Sequence, residues 1–282
     1  MSVDLNGFIS IPPPGRIQPM FTTIVSDVIS RLSSQFPTLI HSIYVYGSVA
    51  QGKALPGRSD LDLTVIFRTQ PDAAALQQLE ALQVTLESTH PEVSKIDFDC
   101  GALVEVLKYA NRLSWGYWLK HHCVCVYGDN LSLRFGLFRP SPAIAQAVNG
   151  DFMAVIHRLT CQIQETDQPV RQRQWLRAAA RKAIRSTSIL RGPEDTDWPD
   201  TLQQHAEKFM TRYPQHSATI LRLLDLCTVF DGDIRQDCET VLAFARWLEQ
   251  ESAGRISRCS DKENHAPKIP SGRVEHSGNI QP

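Results

Sequence analysis

The sequence predicts an α/β unit followed by an all-helical region. Two observations carry that reading. Short β-rich runs, IHSIYVY at 40–46, LDLTVIF at 61–67 and SKIDFDC at 94–100, are separated by helical patterns in the first half. After Pro140 the period-two patterns stop and apolar residues recur only at helical spacing. The expected organisation is an arm over 1–18, an α/β domain over 19–140, a helical domain over 141–254 and a disordered tail over 255–282.

Each element has a local cause. Pro12 to Pro14 keep the arm out of helix. Residues 19–37 place Ile24, Val25, Val28, Ile29, Leu32 and Phe36 on one helical stripe that ends near Pro37. A glycine-bearing loop joins the strands 40–46 and 61–67, and residues 72–88 form a helix rich in Ala, Leu and Gln. A third strand follows at 94–100, then a helix over about 101–120, a short strand over 122–127 and a turn at YGDN. The helical half is expected as 142–166, 170–190, 199–212, 216–227 and 237–252. The tail from Arg255 is polar and nearly free of aromatic residues, too poor in apolar surface to offset its ordering entropy.

Global properties narrow the class. The chain has 282 residues, 29 basic against 30 acidic, so its net charge of −1 gives no general pull towards nucleic acid or membrane. No apolar run reaches membrane-spanning length, and the N-terminus lacks the basic start and apolar centre of a secretory signal. Seven scattered cysteines, an odd number, fit a reduced, cytoplasmic setting. In HHCVCVYG, His121 and His122 flank Cys123 and Cys125, but adjacent histidines and C-x-C lack usual zinc spacing.

The chemistry gathers between Tyr46 and Phe67, YGSVAQGKALPGRSDLDLTVIF. Carboxylates in an otherwise apolar strand cost stability unless paired, hydrated or bound to a cation. Asp60 and Asp62 share a strand face roughly 6 to 7 Å apart. Oxygen donors so placed suit Mg²⁺, which is commonly shared with substrate phosphates. Asp97 and Asp99, again two apart, are both candidates for a third carboxylate, and a pair of metal ions could serve the attacking and leaving oxygens. The Gly47-Ser48 step offers a hydroxyl and backbone N–H groups to a terminal phosphate. Gly52 and Gly57 let the loop return. Ser59 can fix the strand entry, and Lys53 and Arg58 can meet phosphate charge. The chain has no G-x-x-x-x-G-K-[ST] run, and GSVAQG is not G-x-G-x-x-G.

Gly47, Ser48, Gly52, Ser59, Asp60 and Asp62, followed by KIDFDC, resemble the signature of the nucleotidyltransferase superfamily with the DNA polymerase β-like fold. The resemblance implies a small mixed-sheet domain over roughly 40–130, with Asp60, Asp62 and Asp97 as metal ligands and catalytic acids, Asp99 being the runner-up. It implies Mg²⁺, two ions, and an NTP co-substrate, ATP.

Between residues 171 and 191 lie seven basic residues and no acid: Arg171, Arg173, Arg177, Arg181, Lys182, Arg185 and Arg191. Arg177, Arg181 and Arg185 share a helix face. Arg177, Arg181 and Lys182 are expected to reach bound nucleotide across the interdomain cleft. Trp115, Tyr117 and Trp118 read as core or interdomain contacts. Glu105 is a weaker candidate for a general base. The basic helix and the later HAEKFMTRYPQHSATILRLLDL also resemble the C-terminal domain of aminoglycoside nucleotidyltransferases of the streptomycin and spectinomycin type, over about 141–245. That likeness implies transfer of AMP to a hydroxyl of a small-molecule acceptor, by a monomer or homodimer. A toxin-like enzyme acting on tRNA or protein, and a non-catalytic NTP-binding regulator, are the alternatives.

Overall fold

A computed structural model describes residues 3–12, 17–228 and 232–264. Its first half is built on a four-stranded sheet in the order β3-β2-β1-β4. Strands β1 (Ile40–Tyr46) and β2 (Leu61–Phe67) pair antiparallel and lie where the sequence predicts them. Strand β3 (Ile96–Ala102) runs parallel to β2, and β4 (Val124–Gly128) pairs antiparallel with β1.

One sheet face is a dry core. Helix α1 (Pro19–Gln35) buries Phe21, Ile24, Val25, Val28 and Leu32 against Ile43, Val45, Leu61, Leu63 and Val65. Helix α3 (Ala73–Thr89) adds Leu79, Leu82 and Leu86, and Asp72 caps it by accepting from the Ala75 N–H at 2.8 Å. Alternation then sends Asp62, Thr64 and Ile66 to the other face. There Tyr44, Ile66, Val106, Leu119, Cys123 and Leu131 form a second cluster.

The stretch 101–120 is not the single helix expected. It divides into α4 (Leu103–Val106), a 3₁₀ turn at Tyr109–Asn111, a π-helical turn at Arg112–Gly116 and α5 (Tyr117–His121). The side chain of Trp115 lies across Gly101, where an added Cβ would approach its ring to 2.7 Å. The Asn111 amide, 2.9 Å from the Glu105 carbonyl and 2.6 Å from its carboxylate, holds the bend. Glu105, also 2.5 Å from Lys108, is therefore held within this turn.

The second half is helical: α6 (Pro142–Asn149), α7 (Phe152–Glu165), α8 (Pro169–Ser186), α9 (Leu202–Arg212), α10 (Ser217–Leu226) and α11 (Ile234–Asn264). The expected helix over 142–166 is two helices. Its break at Asn149-Gly150-Asp151 combines poor helix formers. The break serves two destinations: Ile144 and Ala145 pack on Tyr117 and Trp198, whereas Phe152, Ile156 and Ile163 enter the helical core. A capping box between Thr201 and Gln204 starts α9. Helix α11 runs on to Asn264, past the residue at which the tail was expected to begin. The rest of that tail, 265–282, and Pro13 and Pro14 lie outside the described residues. Before them, the Ile9 N–H donates to the Phe138 carbonyl at 2.9 Å, which seats the arm on the chain between the two halves. No described helix is long and apolar enough to cross a membrane.

Candidate active site

Strand β1 ends at Tyr46, which pairs in register with Asp62. Gly47 follows with φ +70°, a region that L side chains rarely adopt. A Cβ there would also lie 2.1 Å from Asp62 Oδ2. Glycine is thus required twice, for the turn and for room beside the carboxylate. Gly47 opens the short helix α2 (Gly47–Ala50), and the Lys53 N–H donates to the Ser48 carbonyl at 2.9 Å. The Ser59 hydroxyl accepts from the Leu55 N–H at 2.9 Å and tightens the entry to β2. Lys53 and Arg58 are exposed on this loop.

Four carboxylates share the open sheet face. In the parallel β2–β3 ladder Asp62 stands beside Asp97, and Thr64 beside Asp99. Asp60 precedes β2 by one residue and takes a hydrogen bond from Ser94 Oγ at 2.5 Å. Lys95 Nζ lies 2.5 Å from Asp97 Oδ1. The Tyr46 hydroxyl donates to Asp99 Oδ2 at 2.5 Å. Desolvation and the charges of Asp60, Asp97 and Asp99 push Asp62 up to about 7, against the pull of Arg181. Burial also raises Asp99, against the Tyr46 hydrogen bond that lowers it. Asp99 meets solvent and yet is surrounded by protein, the situation of a group lining a cleft.

Helix α8 supplies the opposite wall. Leu176, Ala179, Ala180, Ala183 and Ile184 are buried in the helical core. Arg181 acts on Asp62, and Arg185 feels both Asp62 and Tyr46. Neither arginine has a hydrogen bond or ion pair to another described residue. Arg177 is exposed farther along the helix and acts on Cys227 together with them. Lys182, expected to reach nucleotide, instead sits 2.6 Å from Asp151 Oδ1 and donates to the Val148 carbonyl at 3.3 Å. One position round the helix was enough to turn it towards the α6–α7 junction. Asp195 and Asp197, acids of the second half, are tied to Lys208 and Arg212.

The residues fit a hard divalent cation by chemistry. Their donors are all carboxylate oxygen, and their mutual repulsion is visible in Asp62. Among the described residues, no three ligands converge at binding distance; Asp60, Asp97 and Asp99 are turned towards Ser94, Lys95 and Tyr46 instead.

Tyr46 and Arg185 join this cleft without having been singled out from the sequence as site residues. Tyr46 could have been found by its place just before Gly47, and Arg185 by its four-residue step from Arg181.

Residues 25–111 match the family model described as nucleotidyltransferase domain. None of the curated proteins compared matches the sequence. Among solved structures, the chain is similar to the crystal structure of spectinomycin adenyltransferase AAD(9) from Enterococcus faecialis with ATP and spectinomycin. The identity is 13% and the TM-score 0.49, with 82% of this chain and 98% of that chain covered.

Proposed function

We propose that the protein transfers a nucleoside monophosphate, AMP, from an NTP to a hydroxyl of a small-molecule acceptor such as an aminoglycoside, releasing pyrophosphate. One observation carries this reading: Asp62 and Asp97 stand in register on the open sheet face, with Asp60 and Asp99 beside them and Gly47-Ser48 at their edge. A nucleotidyltransferase domain match over the same residues supports it.

Asp60, Asp62 and Asp97 would hold Mg²⁺, which when bound supplies charge stabilisation at the phosphoryl group. The Ser48 hydroxyl and the neighbouring N–H groups hold the outer phosphates. Arg181 and Arg177 meet the triphosphate from α8, while Lys182 stays with Asp151. Asp97 Oδ accepts the proton of the acceptor hydroxyl. Asp97 is preferred to Asp99 because it stands beside Asp62 in the ladder, whereas Asp99 is engaged by Tyr46.

Four α-labelled NTPs with Mg²⁺ test the reaction, offered with an aminoglycoside panel or with total tRNA. D60A/D62A serves as the blank. Label on a small molecule supports the reading. Label on RNA or on the protein itself moves the acceptor to the macromolecular class. Tight NTP binding without transfer or pyrophosphate exchange would make the protein a sensor.

A further inference from the structure

The carboxylates of the open sheet face are held by partners of different kinds. Asp60 takes its hydrogen bond from Ser94 Oγ, a small hydroxyl on an exposed residue. Asp97 meets Lys95 Nζ at the end of a flexible stem, with the lysine side chain 45% exposed. An ion pair so open to solvent is weakly held. Asp99 is held by Tyr46, whose hydroxyl can leave only if the ring moves.

The ring is fixed. Tyr46 ends β1 in register with Asp62, and the turn at Gly47 follows at once. Its hydroxyl reaches Asp99 on β3, so the side chain spans β2 from the Asp62 row to the Thr64 row. It meets Trp118 edge-on, with centroids 4.8 Å apart and planes at 68°. Trp118 Nε1 donates to Thr64 Oγ1 at 3.1 Å, and Thr64 stands beside Asp99 in the β2–β3 ladder. The contacts therefore close a ring: Asp99 to Tyr46, to Trp118, to Thr64 and back.

The bond at the head of this ring is strong. An ionised carboxylate can only accept, so the phenol donates. Its length of 2.5 Å is that of a neutral hydroxyl on a charged oxygen. Asp99 thus shares a face with Asp60, Asp62 and Asp97 but is tied to a rigid donor on another strand. The number of carboxylates free to turn matters to a hard cation. Mg²⁺ uses few of them and keeps places for water and phosphate oxygen, whereas Ca²⁺ takes roughly six to eight oxygen ligands.

We propose that Tyr46 is a positioning residue that withholds Asp99 from the cation site, so that the site offers three carboxylates and disfavours a larger, oxygen-rich cation such as Ca²⁺. The role of Asp60, Asp62 and Asp97 as cation ligands rests on the nucleotidyl-transfer reading; the fixed Tyr46–Asp99 bond does not.

The test uses the full chain without nucleotide, titration calorimetry, and Ca²⁺ and Mg²⁺ as separate probes. Y46F keeps the ring against Trp118 and removes the hydroxyl. It should bind Ca²⁺ roughly tenfold tighter than the wild type, the effect of one added charged ligand, with a smaller gain for Mg²⁺. Y46F/D99N should lose that gain. A merely structural tyrosine would lower Tm in Y46F without this dependence on Asp99. D99N alone reads the same claim whatever the stability of Y46F, and should weaken Ca²⁺ binding by much less than tenfold. A tenfold loss in D99N would make Asp99 a ligand already in the wild type and overturn the proposal. So would an unchanged Ca²⁺ Kd in Y46F, a gain that persists in Y46F/D99N, or no binding of either cation by any of these proteins. If the gain appears through Asp99 but no NTP is turned over with any acceptor, the role of Tyr46 stands and the transfer reading fails. If NTP is turned over while Y46F binds Ca²⁺ like the wild type, the transfer reading stands and the role of Tyr46 fails.

Discussion

The Gly47 Cα rests directly against the Asp62 carboxylate, so closely that a methyl group there would lie 2.1 Å from Oδ2. Substituting Gly47→Ala has two costs: about 1–2 kcal/mol for an L residue in the left-handed region, and displacement of Asp62. The variant should fold, with Tm lower by about 2–8 °C, and lose transfer activity by roughly 10²-fold or more. Thermal unfolding and a labelled-NTP assay on one preparation check it. Wild-type turnover with the expected loss of Tm would detach Asp62 from the chemistry.

Asp62→Asn should separate stability from function. The amide keeps the shape of the side chain and removes both the buried charge and the repulsion from Asp60, Asp97 and Asp99, which together raise Asp62 to about 7. Tm measured without divalent cation should rise by about 2–4 °C, equivalent to ~1 kcal/mol in a domain of this size. Turnover should fall by roughly 10²-fold or more, on the scale of losing one electrostatic group from an active site. A rise of Tm with Mg²⁺ is expected in the wild type and should weaken in this variant.

Arg181 and Lys182 are chain neighbours with different expected roles. Arg181→Met should raise KM for NTP roughly tenfold, with little change in Tm. Lys182→Met should lower Tm by about 2–4 °C through loss of the contacts to Asp151 and the Val148 carbonyl, and leave KM unchanged. Steady-state kinetics and thermal melts on both variants check the assignment, and exchanged phenotypes would reverse it.

The pH dependence of stability should carry the signature of His90 and Asp27. His90 lies 2.9 Å from Asp27 and 2.8 Å from Glu92. Burial opposes its charge, but the two carboxylates outweigh burial and raise its pKa. A raised histidine stabilises fully below its unfolded value, about 6.5, and that stability is lost as pH rises through the folded value. Asp27 is lowered, first by its hydrogen bond to His90 and then by Arg31, so its share is lost as pH falls below about 3.8 towards the folded value. The contributions of His90 and Asp27 should therefore both be full between roughly pH 4 and 6.5 and that of His90 should fade above it, read as the difference in urea midpoint between wild type and the His90 variant. His90→Gln should flatten the alkaline decline, and an unchanged decline would place its cause elsewhere.

Much of this site was legible in order along the chain. The two boundaries of β1 and β2, the glycine between them and the four aspartates follow from period-two patterning and turn chemistry, which are local properties of a few consecutive residues. So does the basic face of α8, because four-residue spacing alone sets it. The broken segment 101–120 was not legible. Gly101 and Trp115 are far apart in sequence, and only their packing decides where the helix stops.

The sequence by itself determined which chemistry is present: carboxylates for a cation, a glycine turn for phosphate, and a run of cations without acids. Tertiary structure alone decided which members face one another. Lys182 turned to Asp151 while Arg181 and Arg185 turned to Asp62, a difference of one residue that depends on how α8 is rotated by its buried Leu176, Ala180 and Ile184. Trp198 lies beyond α6, α7 and α8 in the chain and reaches the Tyr117 hydroxyl only when the two halves pack. Spacing in sequence sets which residues can share a face; the packing of separate elements sets what that face meets.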